Sequence, residues 1–260
     1  MSINRIIQFL KEIRRRYIAG TSYRTNPYIQ DGWAQEQAEL KKRPRRTEII
    51  NYLLDSLNRE TEYLEIGVRN PGDNFNHIRA TRKYSVDPGL EYDNPEIDFK
   101  LTSDEFFAKL RSDALSGAPS KFDVIFIDGL HLADQAFRDI VNSLEFLKED
   151  GFVVMHDCNP PSEFYARETY GFHLSPAGHV WNGTTWKAYC KARRELAVKS
   201  YCIDSDWGVG ILQKSNSKTS LPDLNPFYEF HILAQHRKQL LNLVTFEEFQ
   251  AMRFPSTPSL

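Results

Sequence analysis

The chain has 260 residues, 41% hydrophobic and 26% charged, with a net charge of −2, which fits a soluble globular protein of one large or two small domains. So even a balance argues against phosphate-backbone binding as the main task, because that needs a clear basic excess; nucleic acid is not an expected partner. Cys158, Cys190 and Cys202 are odd in number and lack zinc-finger spacing, so neither a disulfide framework nor a zinc ribbon is expected, and a reducing, cytoplasmic setting is.

The first stretch, MSINRIIQFLKEIRRRYIAG, places Ile3, Ile6, Ile7, Leu10, Ile13 and Tyr17 at helical spacing, with Lys11, Arg14, Arg15 and Arg16 between them. It holds no apolar run long enough for a signal peptide or a membrane span. A basic amphipathic helix of this kind suits an anionic membrane surface; docking to a partner or to a second copy is the commoner use. Residues 22–46 read as a connector with a short helix over 34–41. Thr47 is placed to cap a helix carrying Ile49, Ile50, Leu53, Leu54 and Leu57.

Short apolar runs then alternate with helical stretches. Strands are expected over 61–67, 83–88, 121–129 and 151–157, and helices over 72–80, 103–111 and 132–147. Regular alternation of this kind predicts a parallel sheet covered on both faces. The runs 198–204 and 207–213 are joined only by Ser205-Asp206, which permits an antiparallel hairpin and no helical crossover. The expected fold is therefore α/β: a doubly wound, mostly parallel seven-stranded sheet with a reversed last strand. A helix over 182–196 and two amphipathic helices within 227–249 complete the pattern. Thr245 and Glu248 form a capping box there, and PSTPSL reads as a frayed tail. The organisation is an N-terminal helical extension (1–60), a central domain (61–213) with a covering segment (160–186), and a C-terminal helical tail (214–260) given to packing or subunit contact.

In open α/β sheets, ligands bind outside the carboxyl ends of the strands. Here Glu65, Asp87, Asp104 (after a short third run), Asp128 and Asp157 stand at or just past those ends. Five acids on one edge exceed what turn formation needs. The first loop, LEIGVRNPGDNF, has only Gly67 and Gly72, with Pro71 between, and lacks the glycines of a pyrophosphate cradle. Asp87 follows Gly67 by 20 residues, a spacing suited to hydrogen bonds with ribose hydroxyls.

With LEIGVRNPGDNF, YSVDP, TSDEFF, FDVIFIDGLHLADQAFRDI and GFVVMHDCNPP in that order, residues 61–213 resemble the class I S-adenosylmethionine-dependent methyltransferases. Within them the resemblance is to the small-molecule O-methyltransferase branch that includes macrocin and catechol O-methyltransferases. The resemblance implies S-adenosylmethionine as cofactor, with Glu65 and Gly67 lining its methionine end and Gly72 among the residues that bind it. It puts Asp87 on the ribose, Ser103 and Asp104 beside the adenine, and Asp128 where cofactor and acceptor meet. The metal-dependent relatives imply a divalent ion (magnesium, manganese or iron) held by Asp128, His156 and Asp157. Those relatives place Asp, Glu or Asn where this chain has His156, and an imidazole among oxygens suits manganese, iron or zinc better than magnesium.

Methyl transfer is an in-line displacement in which the acceptor oxygen must be positioned and its proton removed. A metal lowers the hydroxyl pKa and a histidine accepts the proton near neutrality. His131 is the favoured base, His156 the second, and Asp157 completes the catalytic set; the structural alternative for His131 is a helix cap or a bond to the adjacent loop. Cys158 reads as a buried filler. His173, His179, Trp181 and Trp186 suit stacking on a sugar or ring, or else a minor core under the covering segment. The expected activity is O-methylation of a sugar, glycan precursor or natural product. The alternatives are a metal-dependent hydroxylase on the same fold and a non-catalytic cofactor-binding subunit.

Overall fold

The structure, a computed structural model, describes residues 3–91, 97–220 and 222–252; the PSTPSL tail lies outside them. Three helices come first: α1 (Ile3–Thr25), α2 (Pro27–Lys41) and α3 (Arg46–Ser56). The expected connector is thus largely helical. Asn26 separates α1 from α2, its side chain accepting from the Tyr28 amide at 2.9 Å, and Pro27 follows at the one helical position where a missing N–H costs nothing. Thr47 is not the cap of α3. Arg45 holds that position, its amide donating to Glu48 at 2.7 Å, and the Thr47 hydroxyl donates instead to Asn74 at 2.6 Å.

The sheet has seven strands: β1 (Glu62–Ile66), β2 (Arg82–Val86), β3 (Phe122–Ile127), β4 (Leu147–Met155), β5 (Val198–Ile203), β6 (Val209–Lys214) and β7 (Leu243–Val244), in the order β2-β1-β3-β4-β6-β5-β7. β1 to β4 pair in parallel, β6 runs antiparallel between β4 and β5, and β7 lies parallel to β5. The single reversed strand is β6, as its short link to β5 requires. The count of seven is reached by another route than expected. The run before Thr102 contributes, among the described residues, only a bridge from Val86 to Phe99. The seventh strand is instead β7, set between α7 (Phe230–Leu241) and α8 (Phe246–Ala251).

The helix expected over 72–80 is replaced by two single 3-10 turns, Pro71–Asp73 and Phe75–His77. Asn70 bonds the Gly72 amide at 3.1 Å, and asparagine side chains of this kind favour turns over a continuing helix. The other connections are α4 (Ser103–Arg111), α5 (Ala133–Phe146) and α6 (Thr185–Glu195).

Alternation along each strand sorts the core into two layers. Leu64, Ile125, Ile127, Val153 and Met155 pack toward α4, α5 and α6, with Phe106, Ile140 and Trp186. Tyr63, Val124, Phe126, Phe152 and Val154 pack toward α3 and α8, with Ile49, Leu53 and Phe249. Each such side chain contributes roughly 1.5–3 kcal/mol by burial. Register aligns Ile66 with Val86 and with Ile127, and Ile127 with Met155. Gly67, Asp87, Asp128 and His156 therefore stand in one row at the carboxyl edge, beside the point where strand order reverses about β1. Among the described residues, no helix is long and apolar enough to cross a membrane.

Candidate functional site

The same alternation turns Glu65, Asp128 and His156 toward the α3 side of the sheet, in line with Tyr63, Phe126 and Val154. The first residue of α3, Arg46, meets them there. Its Nε lies 3.8 Å from Asp128 Oδ2, and its Nη1 lies 3.4 Å from both Asp206 Oδ2 and His156 Nε2. Burial works against this cation, but Asp128, Asp206, Asp157 and Glu65 outweigh it and raise its pKa further. Asp206 comes from the β5–β6 hairpin and accepts the Arg46 amide at 2.9 Å and Arg45 Nη1 at 2.8 Å. Burial disfavours its charge, yet His156 and Arg46 hold its carboxyl far below the usual range.

Two carboxylates and two imidazoles form the centre. His156 Nδ1 is 3.2 Å from Asp128 Oδ1 and 3.4 Å from Asp157 Oδ1. His131 Nε2 is 3.4 Å from Asp128 Oδ1, and its Nδ1 is 3.2 Å from Asp157 Oδ2. That Nδ1 also reaches the Trp181 carbonyl at 2.8 Å, and the two rings stack at 5.2 Å. His131 thus bonds the covering segment and at the same time faces both acids. Burial opposes protonation of His131, but Asp157 and Asp128 prevail and lift its pKa to about 9. His156 is raised well above the ordinary value by Asp157 and Asp128, again against burial. Asp128 is correspondingly low, burial being outweighed by His156, His131 and Arg46.

Local backbone explains how the end of β4 delivers its groups. Asp157 adopts φ +61°, a left-handed conformation that aspartate tolerates better than most residues. The next two amides, of Cys158 and Asn159, bond Gly208 O at 2.9 Å and Trp207 O at 2.8 Å, so the chain leaves the sheet along the hairpin that carries Asp206. Asn182 Nδ2 donates to Asp157 from the covering segment. Asn182 Oδ1 and Arg46 Nε are buried without a hydrogen-bond partner, which leaves each able to take one from a ligand or a water. Cys158 is buried with its thiol pushed well up by desolvation, as befits a filler.

Glu65, at the end of β1, is fully enclosed. Desolvation raises its carboxyl pKa to about 7, although Tyr63 Oη donates to it at 2.5 Å and Asn74 Nδ2 at 2.8 Å. Gly67 follows at φ +84°, and a Cβ there would fall 2.4 Å from Asp128 O; the first and third βα loops touch backbone to backbone. Asp87 accepts the amides of Arg69 at 3.0 Å and Gly89 at 2.7 Å. Ser103 Oγ accepts from Gln135 Nε2 at 3.0 Å and Asp104 pairs with Arg138 at 3.3 Å, so both engage α5. Gly72 sits in the first 3-10 turn.

Glu65, Asp128, His131, His156 and Asp157 are thus brought together, with Gly67 and Asp87 on the same edge. Arg46, Asn74, Asn182 and Asp206 join them without having been read from the sequence. Arg46 lies in a basic run that looks solvated, Asp206 in a turn, and Asn182 in an Asn-Gly pair. In the covering segment, Tyr165 forms a small core with Ala177 and Trp207. Trp186 is 1% exposed, edge-on to Phe230, and is unavailable for stacking on a ligand. A cavity of about 460 Å³ near Arg193, Tyr228 and Lys238, and one of about 660 Å³ near Glu149 and Lys214, lie away from this edge, and neither is lined by a histidine. Asp128, His131 and Asp157 offer donor atoms within 4.8 Å of one another, with His156 beside them, and carboxylates mixed with imidazole suit a divalent transition ion.

A doubly wound sheet with one reversed strand and an acid–imidazole centre at its carboxyl edge is the arrangement expected of the class I methyltransferases that the sequence resembles. A family model described as "Methyltransferase domain" matches residues 24–158, more than half the chain, and the chain belongs to that family. No curated protein sequence matches it. Among solved structures, the plantazolicin methyltransferase BpumL in complex with SAH is similar at 13% identity and TM-score 0.44, over 80% of this chain and 99% of that one. The SAH-bound Podospora anserina methyltransferase PaMTH1 gives 12%, 0.43, 79% and 96% in the same terms. The mycinamycin-pathway methyltransferase MycE, in complex with Mg, SAH and mycinamycin VI, gives 16% and 0.42 over 73% of this chain, which spans only 53% of MycE.

Proposed function

We propose that the protein transfers a methyl group from S-adenosylmethionine to a hydroxyl oxygen of a sugar, glycan precursor or natural product, in a reducing, cytoplasmic setting. In this reading residues 61–213 bind the cofactor, with 160–186 closing over the acceptor. The observation that carries the reading is the meeting of Asp128, His131, His156 and Asp157 on the carboxyl edge beside the unpartnered Arg46 Nε and Asn182 Oδ1. Those two atoms and the converging acids give a polar ligand something to bond.

The bound cofactor supplies an electrophilic methyl group, and the chain's own residues do the rest. Asp87 has spare lone pairs for ribose hydroxyls, since each of its oxygens accepts one backbone amide. Glu65, Gly67 and Gly72 border the methionine end, and Ser103 and Asp104 the adenine. Asp128 and Asp157 orient the acceptor hydroxyl, and His131, when neutral, takes its proton. A pKa of about 9 keeps His131 protonated at neutral pH while both acids face it. A divalent cation held by Asp128, Asp157 and His156 would lower the acceptor's pKa, would leave His131 as the base, and would compete with imidazole protons for the same carboxylates.

Calorimetry with S-adenosylmethionine and S-adenosylhomocysteine tests the cofactor site, with micromolar affinity expected. A labelled-methyl screen of sugars, nucleotide sugars and catechols then identifies the acceptor. Binding of neither cofactor form would remove the proposal. One observation favours a second reading: two imidazoles and a carboxylate meet at Asp128, the donor types of non-haem iron(II) oxygenases. Oxygen uptake by iron-loaded protein, with hydroxylated and not methylated product, would move the assignment there.

A further inference from the structure

Helix α1 carries an apolar stripe that is bare in the structure. Ile6, Leu10, Ile13 and Tyr17 recur at one-turn spacing with Phe9 and Ile18 on the shoulders, and all six are exposed, Phe9 by 61% and Tyr17 by 74%. An amphipathic helix gains nothing from such a face in water; it calls for an apolar phase. The charges define which. Six cations, Arg5, Lys11, Arg14, Arg15, Arg16 and Arg24, stand against one acid, Glu12, giving +5 on Ile3–Thr25 in a chain whose net charge is −2.

Helical spacing puts Lys11 and Arg14 along one margin of the stripe and Arg5 and Arg16 along the other. Long basic side chains in these places can lie along an apolar layer and raise their charged ends to its surface. A second copy fits poorly. Two such faces brought together would set cations against cations along both margins, and Glu12 is already engaged by Arg16 at 3.0 Å. An anionic lipid surface answers both features at once, with acyl chains for the stripe and negative headgroups for the margins.

We propose that α1 is a peripheral anchor that lies on an anionic membrane surface. The anchor is joined to the site's covering segment. Tyr23, near the end of α1, donates to the His173 carbonyl at 3.4 Å and meets the Trp33 ring edge-on at 6.5 Å. Tyr170, Phe172 and Leu174 are exposed in that same segment, and Tyr170 leads through Trp181, at 5.6 Å, to the ring of His131, a further 5.2 Å away. α2 ties this end to the body through buried Ile29 and through Tyr165 Oη, which donates to Gly32 O at 2.7 Å. The anchor holds the covering segment close to the bilayer whatever reaction the site performs.

The test is sedimentation of the full chain with vesicles of phosphatidylcholine alone and of phosphatidylcholine mixed with phosphatidylglycerol, at low salt and at about 0.5 M salt. Binding to the mixed vesicles should be at least about tenfold tighter and should fall several-fold at high salt. The double variant Leu10→Glu with Ile13→Glu alters exposed positions only. It should keep the parent's thermal midpoint and lose at least about tenfold in vesicle affinity. Equal binding to both vesicle types, binding to neither, or undiminished binding by the double variant would each overturn the proposal. So would a dimer in light scattering that the double variant dissolves, which would show that a second copy covers the stripe.

Discussion

β3 carries an acid at each end, and the two live differently. At its amino end Asp123 is wholly buried and accepts Arg59 Nε at 3.2 Å, Arg59 Nη2 at 2.6 Å, Lys148 Nζ at 2.7 Å and the Glu62 amide at 2.7 Å. Asp150 pins Arg59 from the other side at 2.6 Å. At its carboxyl end Asp128 meets His156 at 3.2 Å, His131 at 3.4 Å and Arg46 at 3.8 Å, with unpartnered polar atoms nearby. Short bonds that use up an acid's lone pairs brace the fold. Longer contacts, shared among groups that can change protonation, leave room to exchange a partner for a ligand. Saturation, and not the number of charges, separates the brace from the site.

Mutating each acid in turn should break the comparison cleanly. Asp128→Asn should lower methyl transfer about a thousandfold and also lower the thermal midpoint, because His156, His131 and Arg46 lose the charge that pairs them. Transfer rates on the acceptor found by screening would show this; a full rate would remove Asp128 from the chemistry. Asp123→Ala should act on stability alone. It strands Lys148, part of Arg59 and the Glu62 amide, and should cost about 4 kcal/mol in urea unfolding. S-Adenosylhomocysteine affinity of the folded fraction should not change.

The sequence shows the two ends unequally. β1, β3 and β4 were legible because strands buried on both faces are apolar throughout, and their terminal acids stood out against that background. Asp128, His131, His156 and Asp157 could be named for the same reason. Arg46, Asn182 and Asp206 could not, since they arrive from three separate segments and only the folded chain brings them within 4 Å of these groups. The helix expected after Gly72 failed because the Asn70 side chain bonds the Gly72 amide, Pro71 sets the backbone, and the Asn74 side chain is drawn away to Thr47 and Glu65. β7 is two residues long, too short for any periodic signal.

Glu65 sharpens the comparison through pH. Desolvation lifts its carboxyl to about 7 in the folded protein, from a usual value of 4.5. A group whose pKa is raised on folding contributes stability that is present below the unfolded value and is lost as pH climbs through the folded one. The parent should therefore lose on the order of 2–3 kcal/mol between roughly pH 4.5 and 7.5 relative to Glu65→Gln. Paired urea titrations across that range read this difference directly, since the other titrating groups are common to both proteins. Parallel stability curves would show that Glu65 ionises freely in the fold.

The two glycines of the first loop give the smallest effects and the sharpest separation. Gly67→Ala must abandon φ +84° or press a methyl against Asp128 O, 2.4 Å away. It should cost about 2 kcal/mol and weaken S-adenosylhomocysteine binding with it, so that fold and ligand cannot be told apart. Gly72 has no positive φ, and a Cβ there finds nothing nearer than Asn70 Oδ1 at 3.4 Å. Stability of Gly72→Ala should therefore stay within about 0.5 kcal/mol of the parent. Any ligand effect then belongs to the ligand. A methyl group facing the bound cofactor should weaken S-adenosylhomocysteine about fivefold, or about 1 kcal/mol, in calorimetry. Unchanged affinity would place Gly72 off the cofactor and leave Gly67 as the loop's point of close approach.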